Sequence, residues 1–350
     1  MNKQFEYKSA MDSLRFTDEQ KRQIAENAAK EAARQTRRTR RPIGRTVLAA
    51  ACIAAVLAVS AGATGVLKTA VESFSGIFGS GVAQTEIIDK IGRPIGASAT
   101  DNGVTVSADA IIGDEYNAAI VFTIRRDDGT RLFPQEVNEK NLLMGGFGGV
   151  DMDIKGGSHG SSWFVDEDPD DDHIQMVQTI SSDVPLTHGA ATADFSDLCG
   201  WDDEAEASVP LIEGRWKFRF DVDYEDSSRV FGGGETFEQD GLTFTIDEVR
   251  VSPVAVRAAY TVDSEVQWSD APSGKQSDED RESQRRYFEN VEILLARTDG
   301  TVMSIPSGGS IKPGSGKTAC VKGGVLDEII PLEELASISV GGIIYPISAD

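Results

Sequence analysis

Gly314-Ser315-Gly316-Lys317-Thr318 is the segment whose residue types come nearest to familiar chemistry, since glycines ahead of a Lys-Thr pair can cradle a phosphate. The full phosphate loop needs a further glycine five positions before Gly316, where this chain has Ile311, so a glycine-rich turn is expected instead. The densest run of charge is Asp166-Glu167-Asp168-Pro169-Asp170-Asp171-Asp172-His173. Asp166, Asp168, Asp170 and Asp172 offer the hard oxygen ligands that calcium takes, although the glycine and terminal glutamate of an EF-hand loop are missing. The competing expectation is a solvated acidic loop, in which like charges are relieved by water. His159, His173 and His188 are spaced by 14 and 15 residues, which fits no zinc pattern, and scattered surface histidines are expected. Gly157-Ser158-His159-Gly160 lacks the Gly-x-Ser-x-Gly form of a nucleophile elbow. These patterns predict neither an enzyme nor a cofactor. Cys199 and Cys320 lie about 120 residues apart, which leaves open one disulfide or two separate thiols.

The elements that would carry these residues divide the chain sharply by charge. Of the 350 residues, 1–46 carry a net +6 and the rest a net -29. An acidic region of that size repels polyanions, so nucleic acid is excluded as its partner. Thr46 to Leu67 is a run of 22 uncharged residues, long enough as a helix to span about 33 Å. Arg34, Arg37, Arg38, Arg40, Arg41 and Arg45 precede it, and Lys68 and Glu72 follow. By the positive-inside rule this predicts a single-pass transmembrane helix over 46–67, with a cytoplasmic N-terminus and an extracellular C-terminal region. The alternatives are a cleaved signal ending near Ala61-Gly62-Ala63 and a core helix.

Residues 1–45 read as a basic cytoplasmic helical segment that opens on Thr17-Asp18-Glu19-Gln20, a capping box. Leu14, Phe16 and Ile24 would form a docking stripe for a cytoplasmic partner. Alternatively the segment is a solvated stalk whose Arg37, Arg38, Arg40, Arg41 and Arg45 meet lipid head groups. Residues 68–97, with short amphipathic pieces at Val66–Phe78 and Glu86–Ile91, read as a juxtamembrane connector.

Beyond the connector the period changes to two. Arg215–Val222 alternates polar and apolar residues throughout. Val104–Ile112, Asn117–Arg125, Leu242–Val251, Val254–Val262, Val291–Arg297 and Ile338–Ile347 are further predicted strands. Asp128-Gly129 and Asp299-Gly300 have the form of hairpin turns. The fold class expected is mainly β: a cytoplasmic helix, a transmembrane helix, then two antiparallel immunoglobulin-like β-sandwich domains over 98–231 and 235–350. An internal repeat supports two domains, since residues 101–109 match 239–247 at an offset of 138 and Ile120–Ile124 faces Ala258–Val262. Gly232-Gly233-Gly234 reads as the joint between them, and the polar stretch Ser273–Arg286 as a solvated loop.

A basic N-terminal helix, one alanine-rich span, an amphipathic connector and then Asp101-Asn102-Gly103-Val104-Thr105-Val106 resemble the bacterial proteins of domain-of-unknown-function family 4179, over roughly residues 10–125. Many members are encoded beside extracytoplasmic-function sigma factors and are treated as membrane regulators of the anti-sigma type. The resemblance implies a transmembrane signalling protein of a Gram-positive-like envelope, with a sigma factor as its cytoplasmic partner. The chain differs from better-known anti-sigma factors in having no His-x-x-x-Cys-x-x-Cys motif near its N-terminus. The competing expectation is a membrane-anchored surface module that holds an extracellular ligand and has no signalling role.

Overall fold

The computed structural model describes residues 70–347 apart from 79–80, 134–141, 145, 167, 187, 203–205, 271–274 and 306–307. The described residues all fall in one compact unit. The segment 1–45, with Leu14, Phe16, Ile24 and its arginines, and the run Thr46–Leu67 lie outside the described residues.

The chain first forms two short helices, α1 (Ala70–Phe78) and α2 (Val82–Ile91). Twelve strands follow: β1 (Arg93–Asp101), β2 (Val104–Gly113), β3 (Asn117–Arg126), β4 (Leu142–Leu143), β5 (Gly148–Asp151), β6 (Ser158–His159), β7 (Ser162–Val165), β8 (His173–Ser182), β9 (His188–Phe195), β10 (Leu198–Asp202), β11 (Ala207–Ile212) and β12 (Trp216–Asp223). The second half holds β13 (Arg229–Phe231), β14 (Thr236–Gln239), β15 (Leu242–Val251), β16 (Ala255–Val262) and α3 (Asp278–Gln284), which runs into one π-helical turn, Arg285–Glu289. It continues with β17 (Ile293–Arg297), β18 (Val302–Ser304), β19 (Gly308–Gly314), β20 (Lys317–Val325), β21 (Leu335–Val340) and β22 (Ile343–Pro346).

These strands pair antiparallel in five open sheets, and that corrects the expectation of two immunoglobulin-like sandwiches. The largest run β1-β2-β3-β8-β6, with β7 also beside β8, and β13-β15-β16-β20-β19, with β14 also beside β15. Three smaller sheets run β11-β10-β4, β12-β9-β5 and β18-β17-β21-β22. Alternation identifies a strand but carries no information on which sheet it joins, so counting strands overstated the regularity. The Asp128-Gly129 turn likewise ends β3 without a hairpin, because β3 pairs with β8 some fifty residues on. The expected single-pass architecture is also corrected. Among the described residues no helix is long and apolar enough to cross a membrane. The lipid partner, the inside–outside topology and the regulator built on them therefore find no support.

Within the stretch 68–97, read as a juxtamembrane connector, the two helices are packed against the sheet. Phe74 and Phe78 of α1 and Ile88 and Ile91 of α2 pack with Ala110, Ile112, Ala119 and Val121 on the back of the first large sheet. A bulge makes this possible. Val104, Val106 and Ala108 of β2 face the front core. The register then slips between Ala108 and Ala110. One extra residue inverts the parity of the strand, so Ile111 keeps the front while Ala110 and Ile112 turn to the helices. At the corner between α2 and β1, a Cβ on Gly92 would lie 2.6 Å from the Ile88 carbonyl oxygen and 2.7 Å from the Ala70 Cβ. Its backbone is ordinary, at φ -73° and ψ 146°, where alanine normally stabilises. Gly92→Ala is expected to reverse that sign and cost about 1–3 kcal/mol in urea unfolding, because the corner cannot close around the methyl group.

The offset of 138 extends through the sheet registers. Arg93↔Ile111 and Thr100↔Thr105 in the first half correspond to Phe231↔Val249 and Glu238↔Thr243 in the second. The turns Asn102-Gly103 and Asp240-Gly241 have φ of 48° and 73°, and of 51° and 73°, the left-handed pair that a tight hairpin requires. The bulge at Asp109 recurs at Asp247, between Ile246 and Glu248. Gly232-Gly233-Gly234 is thus no joint but an interruption between β13 and β14, which pair with β15 as β1 pairs with β2. The link between the halves is 224–228.

Candidate functional site

Gly314–Thr318 forms the hairpin between β19 and β20. The Gly316 N–H donates to the Glu265 carboxylate at 2.9 Å, and Thr318 is buried with its hydroxyl bonded to the Ser264 carbonyl. A turn whose N–H already faces a carboxylate does not cradle phosphate.

The acidic run packs against the turn after β3. Arg131 pairs with Asp170 at 3.1 Å, and Arg125 with Asp172 at 3.6 Å. His173 Nδ1 lies 3.0 Å from Asp171 and 3.2 Å from Asp172. The ligand atoms of Asp171, Asp172 and His173 come within 4.8 Å of one another. Of the four expected calcium ligands, then, Asp170 and Asp172 face arginines, and the grouping that forms includes two residues outside that set. The histidines are dispersed: His159 Nε2 is 3.3 Å from the Gly323 carbonyl oxygen, and His188 opens β9. Cys199 and Cys320 are both free thiols, and burial pushes the Cys320 thiol up to about 12.

Two polar constellations escaped the sequence reading. The first is at the contact between the halves. Asp114 directly follows β2 and is buried. Its carboxylate accepts from the Tyr116 and Asn117 N–H groups, the Asn117 amide and the Ser252 hydroxyl. Burial pushes this carboxyl above its ordinary range against those donors. Beside it Arg250 pairs with Glu115 at 2.5 Å and Glu248 at 2.7 Å, and Arg257 pairs with Glu248 at 3.0 Å. Both guanidiniums lie over the Tyr116 ring, at 5.2 and 4.1 Å from its centroid. The second is Lys322, a buried ammonium that donates to the carbonyls of Phe288, Glu289 and Val291 at 2.8, 3.1 and 2.7 Å. It satisfies the open carbonyls where the π-helical turn ends. Burial pushes it down to about 8.

A cleft of about 430 Å³ opens beside α2 and the 224–228 link. Ile87, Ile91, Pro253 and Leu332 give it an apolar floor, buried or half-buried. Glu86, Glu225, Asp226 and Glu333 oppose Lys90 and Arg229 around the exposed rim. An apolar floor under a few convergent charges is the usual make-up of a small-ligand site.

With this geometry in hand, comparison with known proteins adds a little. A family model described as a domain of unknown function (DUF4179) matches residues 38–126, so the chain carries a short region like that family, running through β3. Among solved structures, the crystal structure of the conserved domain protein from Bacillus anthracis is similar at 16% identity. The likeness covers 71% of this chain and 75% of that chain, with a TM-score of 0.46, and carries no functional argument. No curated protein matches the chain.

Proposed function

We propose that this protein is a binding module without catalytic chemistry of its own, and that its ligand seats a cationic group in the cleft beside α2. The observation that carries the reading is the cleft itself, whose lining gathers four carboxylates and two cations around an apolar floor. The non-catalytic half rests on how the titratable groups are used. His173 is held by two aspartates, Lys322 by three carbonyls, and Asp114 by four donors. Each is committed to structure.

Calorimetric titration with tri-lysine and tri-arginine, and tri-glutamate as control, tests this directly. The basic peptides are expected to bind and the acidic one not to. Glu225→Gln with Glu333→Gln is expected to weaken binding about 3–10-fold at low salt and to flatten its salt dependence, since rim charges act through screened attraction. Binding that is equal in wild type and variant, or equal for both peptide charges, would sink the proposal. A second reading attaches to the acidic run, where Asp171, Asp172 and His173 converge. There calcium, on Asp166, Asp168, Asp170 and Asp172, would have to displace Arg125 and Arg131, and a calcium titration that leaves the unfolding temperature unchanged rejects it.

A further inference from the structure

We infer that residues 93–124 and 231–262 are two copies of one unit, and that the surface joining them is a self-recognition surface, built to receive a second copy of the same unit across a twofold axis. The shared offset of 138 in register, turn and bulge establishes likeness, but two unrelated hairpins can share turn chemistry. The contacts decide the matter.

The two equivalent turns are capped in the same way. Asp114 accepts from the N–H groups of residues 116 and 117, and the Ser252 hydroxyl accepts from those of 254 and 255. Beyond the bulges, Thr123 donates to Asp109 at 2.5 Å and Thr261 to Asp247 at 2.8 Å. Asp114 and Ser252 are counterparts under the offset, and they touch: the Ser252 hydroxyl donates to Asp114 Oδ2 at 2.7 Å. A residue meets its own counterpart only beside a symmetry axis.

Reciprocity makes that axis twofold. Tyr116 of the first copy lies on Arg250 and Arg257 of the second. Its counterpart Val254 lies in one buried cluster with Ile112 and Ala119, the counterparts of those arginines. The same position thus joins the same pair in each direction, within one apolar cluster one way and by cation–π contact the other. This is the pattern of an isologous interface, in which one patch is complementary to itself. The outer strands follow suit, since β8 meets β20 and β6 meets β19.

Thermal unfolding of the full chain tests the inference. Asp114→Ser leaves two hydroxyls facing, and Ser252→Asp sets two carboxylates face to face, so both are expected to lower Tm. The exchanged pair, Asp114→Ser with Ser252→Asp, is expected to recover more than half of the larger loss, because either turn can present either side chain. An uncharged set guards against variants that do not fold. Asp114→Asn and the exchanged Asp114→Ser with Ser252→Asn are expected to melt within ~2 °C of each other. A smaller recovery in the first set, or an exchanged variant in the second that melts below Asp114→Ser, overturns the inference.

Discussion

Trp216→Ala is expected to destabilise the protein by about 3–5 kcal/mol, the loss typical of truncating a fully buried aromatic ring. Trp216 has no exposure, its ring centroid lies 6.3 Å from that of Phe147, and its indole N–H donates to the Val104 carbonyl at 2.8 Å. The substitution therefore opens a cavity and orphans a buried acceptor between β12 and β2. Trp216→Phe retains most of the volume and loses the hydrogen bond, so a cost of about 1–2 kcal/mol is expected. Urea unfolding followed by fluorescence reads both effects. Trp163, Trp201 and Trp268 are exposed, so the blue-shifted part of the emission belongs to Trp216 and should vanish in both variants. A loss below 1 kcal/mol for the alanine variant would mean that the first core does not close around this ring.

Lys322→Met is expected to cost about 2 kcal/mol at neutral pH and to change how stability depends on pH. Burying the ammonium is itself unfavourable, yet removing it strands three carbonyls at a helix end that favours positive charge. The sign of the pH effect follows from proton uptake. The folded Lys322 titrates near 8 and an unfolded lysine near 10.5. Between those values the unfolded chain binds more protons, so the wild type gains stability as pH rises. Cys320, pushed up to about 12 from an ordinary 9, works the other way as the unfolded thiol ionises around pH 9. Both proteins carry Cys320, so the difference between them from pH 8 to 9 isolates the lysine. There the wild type should gain stability relative to Lys322→Met by up to about 1 kcal/mol. Equal slopes in the two proteins would show that Lys322 keeps its proton in the folded state.

What the sequence discloses depends on how local the cause is. The alternation at Arg215–Val222 becomes the alternately buried and exposed strand β12, because one face meets the core and the other meets water. The Asn102-Gly103 and Asp240-Gly241 turns are legible for a similar reason, since their left-handed backbone favours those residues. Ala108–Ile112 is different. Its buried run reflects helices packed on one face and a core on the other, a tertiary fact no periodicity reveals. The stretch Ser273–Arg286 was legible in part and missed. Ser277-x-x-Asp280 is a capping box, and Asp280 also accepts from the Ser269 N–H and hydroxyl, which hold its carboxyl below the usual range. Of the residues at the halves' contact, only the offset linking Asp114 to Ser252 could have given a signal. The cleft beside α2 had none, because its lining comes from four distant segments.

The link of five residues between β12 and β13 is itself pinned. Tyr224 donates to the Asn117 carbonyl, Ser227 to the Gly113 carbonyl, and Asp226 accepts from the Glu115 N–H. So short a tether makes the meeting of the halves an intramolecular event, with an effective concentration in the millimolar range or above. Dilution cannot separate the pair as it would two free chains. Freed from finding each other in solution, the halves need not keep identical faces. Ile112 and Ala119 could stay aliphatic under α1 and α2 while Arg250 and Arg257 became ionic, and the sum still closes.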